Sequence, residues 1–426
     1  QSYMKKFKTT NIYDINSNDC AKTIPILNSN GEVVLPHYMF DTYAKIKDCV
    51  KHIKSYTTIL RHFDLTEVSK FILYMNKKQE LKKRYKVDQY FETIGDINAI
   101  TLKEYYLKLL IQTKENYEEI YEYFKEKRKP LYKSSIKITT EDASTLTNGP
   151  TIYLADDVEK IANYCLKTAK IPQKMLDSIL SDIYTNDNIA GEVVAIENIL
   201  NKEEGSLDDK RKGTDIYGTG KSKKEKNTTK NGNSGKDIQK LQEKLEALRG
   251  GIKEIQLAEE FIPNSYSHLR TWDKEDVKNA FTSSISDDII KKIMLLEVDS
   301  VWKFLLMMGI GVFKRNSFDN LQKDKVKSYR DYMSIMSQLA NEQQLYLIIA
   351  STDYIYGTNY QFCHGYIGKD LENLSQEKTI QAIGRIGRSK TRQVYSIRMR
   401  NDNLIERLFT KQTDKIEVKN MNRLFC

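Results

Sequence analysis

The chain reads as an α/β protein in which a parallel sheet with helices on both faces fills the second half and a mainly helical region precedes it. Three observations carry that expectation. Short apolar runs of strand length, TIYLA, LYLIIA and FCHGYI, recur after residue 149. Amphipathic helical segments separate them, and strands alternating with helices are joined by crossovers that build a parallel sheet. Before residue 149 the apolar spacing is mostly helical.

Taken in order, residues 1–40 are weakly patterned, and ILNSNGEVVL (Ile26–Leu35) reads as two short strands around an Asn-Gly turn. From about 41 to 130 the signal is helical, with Val68, Phe71, Ile72 and Met75 on one face. Thr101 followed by Glu104 reads as a capping box opening one long helix that carries Tyr106 through Phe124. This Tyr- and Lys-rich region is either a helical subdomain with a solvated basic face or a helix set turned toward nucleic acid. Gly149-Pro150 then leads into the strand Thr151–Ala155. Asp156 and Asp157 follow as N-cap candidates for a helix with Val158, Ile161, Ala162, Cys165 and Leu166 on one stripe.

Residues 202–236 are almost devoid of apolar side chains, which predicts a disordered linker or surface insertion. Ile238, Leu241, Leu245, Leu248, Ile252 and Ile255 follow with heptad-like spacing. The run is too short for a dimeric coiled coil, so it is expected to pack within the molecule. From 273 onward helices are expected near 285–298 and 324–340, with VWKFLLMMGIGVF between them. Strands are expected at Leu345–Ala350, Phe362–Ile367 and, alternating in polarity, Arg392–Met399. The expected organisation is a helical linking or insertion region at 1–145, an α/β domain opening at 149–201, the linker at 202–236, a helical insertion at 237–270, and the rest of the α/β domain at 271–426.

A length of 426 residues allows two or three domains, and a net charge of +10 favours a polyanionic partner, nucleic acid first. Soluble Lys-rich proteins also carry such a charge without a ligand. Five dispersed cysteines without a CxxC argue against a disulfide framework or a zinc site and for a reducing, intracellular compartment, cytoplasm or nucleus. No run approaches the ~20 apolar residues of a membrane span. The chain starts QSYMKK without an initiator Met, as a fragment or processed product would.

Asp215–Ser222 ends in Gly220-Lys221-Ser222, the tail of a phosphate-binding loop, but Asp215 stands where that loop needs glycine. No strand feeds it and no helix leaves it, so no backbone N–H groups converge on phosphate. Asp156-Asp157 and Asp287-Asp288 read as helix starts rather than magnesium carboxylates. The chain is expected to lack both a phosphate cradle and the magnesium carboxylate.

QAIGRIGR (Gln381–Arg388) resembles motif VI of superfamily 2 helicases, in the form Gln-x-x-Gly-Arg-x-Gly-Arg. ASTDYIYGTNY (Ala350–Tyr360) looks like motif V, TIYLADDVEKIA like motif IV, and LLMMGIGVF like the Gly-Ile-Gly-Val segment of the DExH, Ski2-like and related branches. The order of these segments matches the family's order. The stretch from about 149 to 400 therefore resembles the second RecA-like domain of such helicases, whereas residues 1–140 do not match the first.

The resemblance implies that Arg385 and Arg388 are the catalytic arginines facing the γ-phosphate. A fixed planar guanidinium there stabilises phosphoryl-transfer charge and is worth ~10³–10⁵ in rate. It implies that Gln381, Gly384, Gly357 and Asn359 belong to the ATP-facing set, and that Ser351 and Thr352 meet nucleic-acid phosphates. ATP and Mg²⁺ would be held mainly by an N-terminal RecA-like domain absent from this chain, with RNA or DNA as the other partner and no membrane. Ala382 stands where many members have arginine. Segments 173–270 and 314–340 look inserted or divergent, and His364 is expected to be packed. The alternative is a non-enzymatic nucleic-acid-binding or transcription-associated factor with a degenerate helicase domain. The Lys/Asn/Ile/Tyr-rich composition is similar to that of proteins from AT-rich genomes, large DNA viruses and protists among them.

Overall fold

The computed structural model describes residues 8, 23–131, 150–169, 172–212, 231–253, 255, 258–262, 265–272, 285–314, 323–355, 362–387, 394–413 and 415–425. Its strands are β1 (Ile26–Leu27), β2 (Thr151–Leu154), β3 (Ile310–Phe313), β4 (Leu347–Ala350), β5 (His364–Ile367) and β6 (Ser396–Met399). They form one sheet in the order β1-β6-β5-β2-β4-β3, and every pairing in it is parallel.

The helices of eight or more residues are α1 (Tyr43–Ser55), α2 (Leu65–Lys78), α3 (Ala99–Ile111), α4 (Tyr117–Lys127), α5 (Val158–Thr168), α6 (Gln173–Lys212), α7 (Asn231–Gly250), α8 (Asp287–Met294), α9 (Ser300–Met307), α10 (Lys323–Asn341), α11 (Gln376–Ile383), α12 (Asp402–Phe409) and α13 (Ile416–Phe425). The α/β class, the parallel sheet and the helical region before it are as the sequence predicts.

Successive side chains of a strand point to opposite faces, so a strand buried at every position is covered on both sides. β2, β4, β5 and β6 are buried throughout. That corrects the alternating pattern expected for the last strand. Arg398 is buried with its guanidinium 5.1 Å from the centre of the Tyr366 ring.

The region before Gly149 departs from expectation in three places. The chain doubles back between Ile26 and Val34 as expected, with Asn28 N–H donating to Glu32 O and Val34 N–H to Ile26 O around the Leu27–Val33 bridge, but β1 also pairs parallel with β6, which the sequence did not suggest. The long helix expected from Thr101 starts at Ala99, because the Asn98 side chain accepts the N–H groups of Ile100 and Thr101 and thereby caps it one turn earlier. That helix also ends at Ile111. The Gln112 N–H and the Thr113 hydroxyl take up carbonyls of its last turn, and the chain turns before α4.

These helices share one core with the sheet. Phe63 stacks on Phe409 at 6.2 Å, and His37, Phe71, Tyr106 and Phe124 form a ring cluster with neighbouring centroids 4.7–5.6 Å apart.

α6 and α7 form an antiparallel hairpin. Its buried stripe, Ile179, Ile183, Asn186, Ala190, Val193, Ile196 and Leu200, meets the half-buried Ile238, Leu241, Leu245 and Leu248. Lys244 pairs with Glu192, and Lys253 N–H donates to Asn186 Oδ1. The heptad-like run thus finds its partner inside the chain. Helix enters the polar 202–236 stretch from both sides, and 213–230, with the Gly220-Lys221-Ser222 tail, lies outside the described residues. No helix among the described residues is long and apolar enough to cross a membrane.

Candidate functional site

The candidate site is assembled where α11 delivers the chain to the amino end of the sheet. Ser375 starts the helix: its hydroxyl accepts the Lys378 N–H at 3.2 Å. Thr379, Ala382 and Ile383 are buried on the sheet side, while Gln381 is exposed. Ala382 is buried, at 1% exposure. A guanidinium at that position would be driven into the core.

After Ile383 the backbone closes a tight turn. Gly384 N–H donates to Ile380 O at 2.9 Å and Arg385 N–H to Ala382 O at 3.2 Å. Gly387 N–H then donates to Phe362 O at 2.8 Å, just before β5. Of the two glycines only Gly387 needs to be one for conformational reasons, with φ +70°, since Gly384 is right-handed. A Cβ on Gly387 would lie 2.4 Å from Ile24 Cδ1. Arg385 rides on this turn half-buried.

The turn is held from a direction that sequence reasoning missed. Arg61, just before α2, donates from Nη2 to the carbonyls of Ile386 at 3.2 Å and Gly387 at 3.1 Å. Ile24 lies beneath Gly387 and its N–H donates to Arg61 O at 3.0 Å. The helical region therefore clamps the turn that carries Arg385.

Ser351 and Thr352 follow the opposite, carboxyl end of β4. The Ser351 N–H donates to Phe313 O at 3.2 Å, while its Oγ is shielded and has no hydrogen-bond partner among the described residues. Thr352 opens a short 3-10 turn, Thr352–Ile355, that packs against α11. The two sets of residues thus sit at opposite strand ends of the sheet, with that turn packed against α11. Gly357, Asn359 and Arg388 lie outside the described residues.

A ligand of an open parallel sheet is normally met at the carboxyl ends of its strands, where free N–H groups collect. In this chain the groups beside β2 are already occupied. Asp370 Oδ2 accepts from Asp156 N at 2.9 Å and Asp157 N at 3.0 Å. Gly368 permits this closeness, because a Cβ there would lie 2.5 Å from Asp370 Oδ1 and 2.8 Å from Leu154 O. Asp157 also caps α5, accepting Lys160 N–H at 3.0 Å. No spacing rule pointed to Asp370, since its partners lie far away in sequence.

His364 is packed as expected. Its Nδ1 lies 2.8 Å from Ser396 Oγ, and burial, then the nearby Arg398 charge, push its pKa down to about 4. Among the described residues no group of three or more His, Cys, Asp or Glu side chains is placed to hold a metal ion. Comparison with protein-family models finds no match for the chain, and no curated protein matches it.

Proposed function

We propose that the chain is the C-terminal RecA-like lobe of an ATP-dependent nucleic-acid helicase or translocase of superfamily 2. It supplies Arg385, with Arg388 beyond the described turn, to the γ-phosphate of ATP bound with Mg²⁺ on a separate RecA-like lobe.

One observation carries this reading. A helix followed by the turn Gly384-Arg385-Ile386-Gly387 is pinned to the sheet at Phe362 and leaves Arg385 half-buried on that turn. A pre-positioned arginine loses little freedom when charge develops beside it, which is what an arginine acting from a second lobe requires. Asp370 supports the same division of labour. Its carboxylate fills the N–H cluster beside β2 and repels a phosphate there, so this lobe offers cations to the nucleotide rather than a cradle.

When bound, ATP supplies the phosphoryl transfer whose free energy drives movement along the strand. Arg385 is directed to the terminal phosphate, exposed Gln381 lies on the same helix end, and Thr352 offers its hydroxyl to the nucleic-acid backbone, whereas the shielded Ser351 Oγ meets it only if the turn after β4 opens. The fit is to the arginine-donating side of such a site.

ATP turnover of this chain by itself, with and without nucleic acid, tests the division. The expected rate is indistinguishable from buffer in both conditions. Robust turnover would put a working phosphate cradle in this chain and overturn the reading.

A further inference from the structure

Between α2 and α4, far in sequence from the arginine turn, lies a cleft of about 880 Å³. Lys70, Lys77 and Lys78 of α2 line it, as do Lys127 of α4 and Lys129 just beyond, against only two glutamates, Glu67 and Glu126. Glu67 is already engaged, accepting from Tyr38 Oη at 2.6 Å and Lys70 Nζ at 2.7 Å. Among the described residues Lys77, Lys78 and Lys129 meet no carboxylate within ion-pair distance. Along the rim these three ammonium groups are uncompensated among the described residues.

The wall of the cleft is aromatic. Tyr74 and Tyr123, both half-buried, lie with ring centroids 4.3 Å apart, and Lys127 Nζ sits 4.0 Å from the centre of the Tyr123 ring. Leu73 and Leu131 flank them, each 55% exposed. Tyrosine rings held by neighbours present stacking surface at little entropic cost, and lysines around them fix phosphates.

We propose that this cleft binds single-stranded nucleic acid, stacking a base against the Tyr74–Tyr123 wall while Lys77, Lys78 and Lys129 hold adjacent phosphates. It is a nucleic-acid contact separate from Ser351 and Thr352, and it stands whether or not Arg385 meets ATP. An acidic peptide would satisfy the lysines but leave the tyrosine wall and the exposed leucines without a partner. A duplex would satisfy the lysines with its bases turned away from the rings.

The test is fluorescence anisotropy of a labelled uridine oligomer of about 12 nucleotides with the full 426-residue chain and no ATP. The double change Lys77→Glu, Lys78→Glu should weaken binding at least about tenfold and flatten its salt dependence. Lys47→Glu, Lys51→Glu on α1 alters net charge equally outside the cleft and should cost less than about threefold. Tyr74→Leu keeps the apolar packing, removes the stacking face, and should weaken binding by about threefold or more. Circular dichroism checks that each variant folds.

Equal losses from the two charge-reversed pairs would place binding elsewhere. Absence of binding by the unaltered chain would remove the site, and competition by polyglutamate as effective as by unlabelled oligomer would make it a peptide site. Each of these overturns the proposal. None touches the ATP reading, because no nucleotide is present.

Discussion

Burial sets the protonation of the histidines far from their usual range. His62 is sealed beside Ile24 O, and desolvation pushes its pKa down to about 4, with the Arg61 charge adding to the effect. His364 is lowered to about 4 in the same way, and His37, beside Tyr106 Oη, is also held well below 6.5. The folded protein keeps these rings neutral, whereas the unfolded chain takes up protons once the pH drops below about 6.5. Their contribution is thus complete at neutral pH and is lost as pH falls from 6.5 toward 4. For His62 and His364 the loss reaches roughly 3 kcal/mol each at the acid end. Urea unfolding at pH 7 and pH 5 should show a clearly lower midpoint at pH 5; equal midpoints would refute the assignment. The local residue pattern was readable at this scale. Gln381, Gly384 and Arg385 fall in one helix and its following turn, and such spacing is visible in a sequence. Arg61 and Asp370 were not readable, because each acts on backbone groups that only the folded topology brings near.

Between elements, the Gly384–Gly387 turn after α11 is tightly constrained. Gly387 takes φ +70°, and a side chain there meets Ile24 Cδ1 at 2.4 Å and Tyr395 Cδ1 at 3.3 Å. Gly387→Ala combines left-handed strain with overpacking and should cost about 2–4 kcal/mol. Chemical denaturation measures this directly, and an unchanged midpoint would mean that the clamp around Arg385 is loose. Helices and long apolar strands were legible because their signals are local: Val158 to Leu166 needs only its own stripe, and LYLIIA only its own run. The parallel pairing of β1 was missed for the opposite reason. Its two residues carry almost no pattern, and the partner that makes them parallel, Ile397 with Arg398, lies at the other end of the chain. The Thr101 capping box failed by one turn because Asn98 offers a stronger local cap.

At the scale of the molecule, the helices before Gly149 and the sheet after it share a single core, and the contacts of Arg61 and Ile24 extend that core to the arginine turn. This union was not legible, since the two halves differ in style and nothing in their periodicity ties them. It gives the helical region a physical role: it braces the turn, and its Lys–Tyr cleft adds cationic surface to a chain of net charge +10. The central claim is that Arg385 acts on a triphosphate held by another lobe. It is tested most directly by nucleic-acid-stimulated ATP turnover of the protein carrying both lobes, with Arg385 or Arg385→Ala. The account predicts a loss of about 10³-fold or more in turnover with nucleic-acid binding nearly unchanged. Undiminished turnover, or equal loss of turnover and binding, would contradict it.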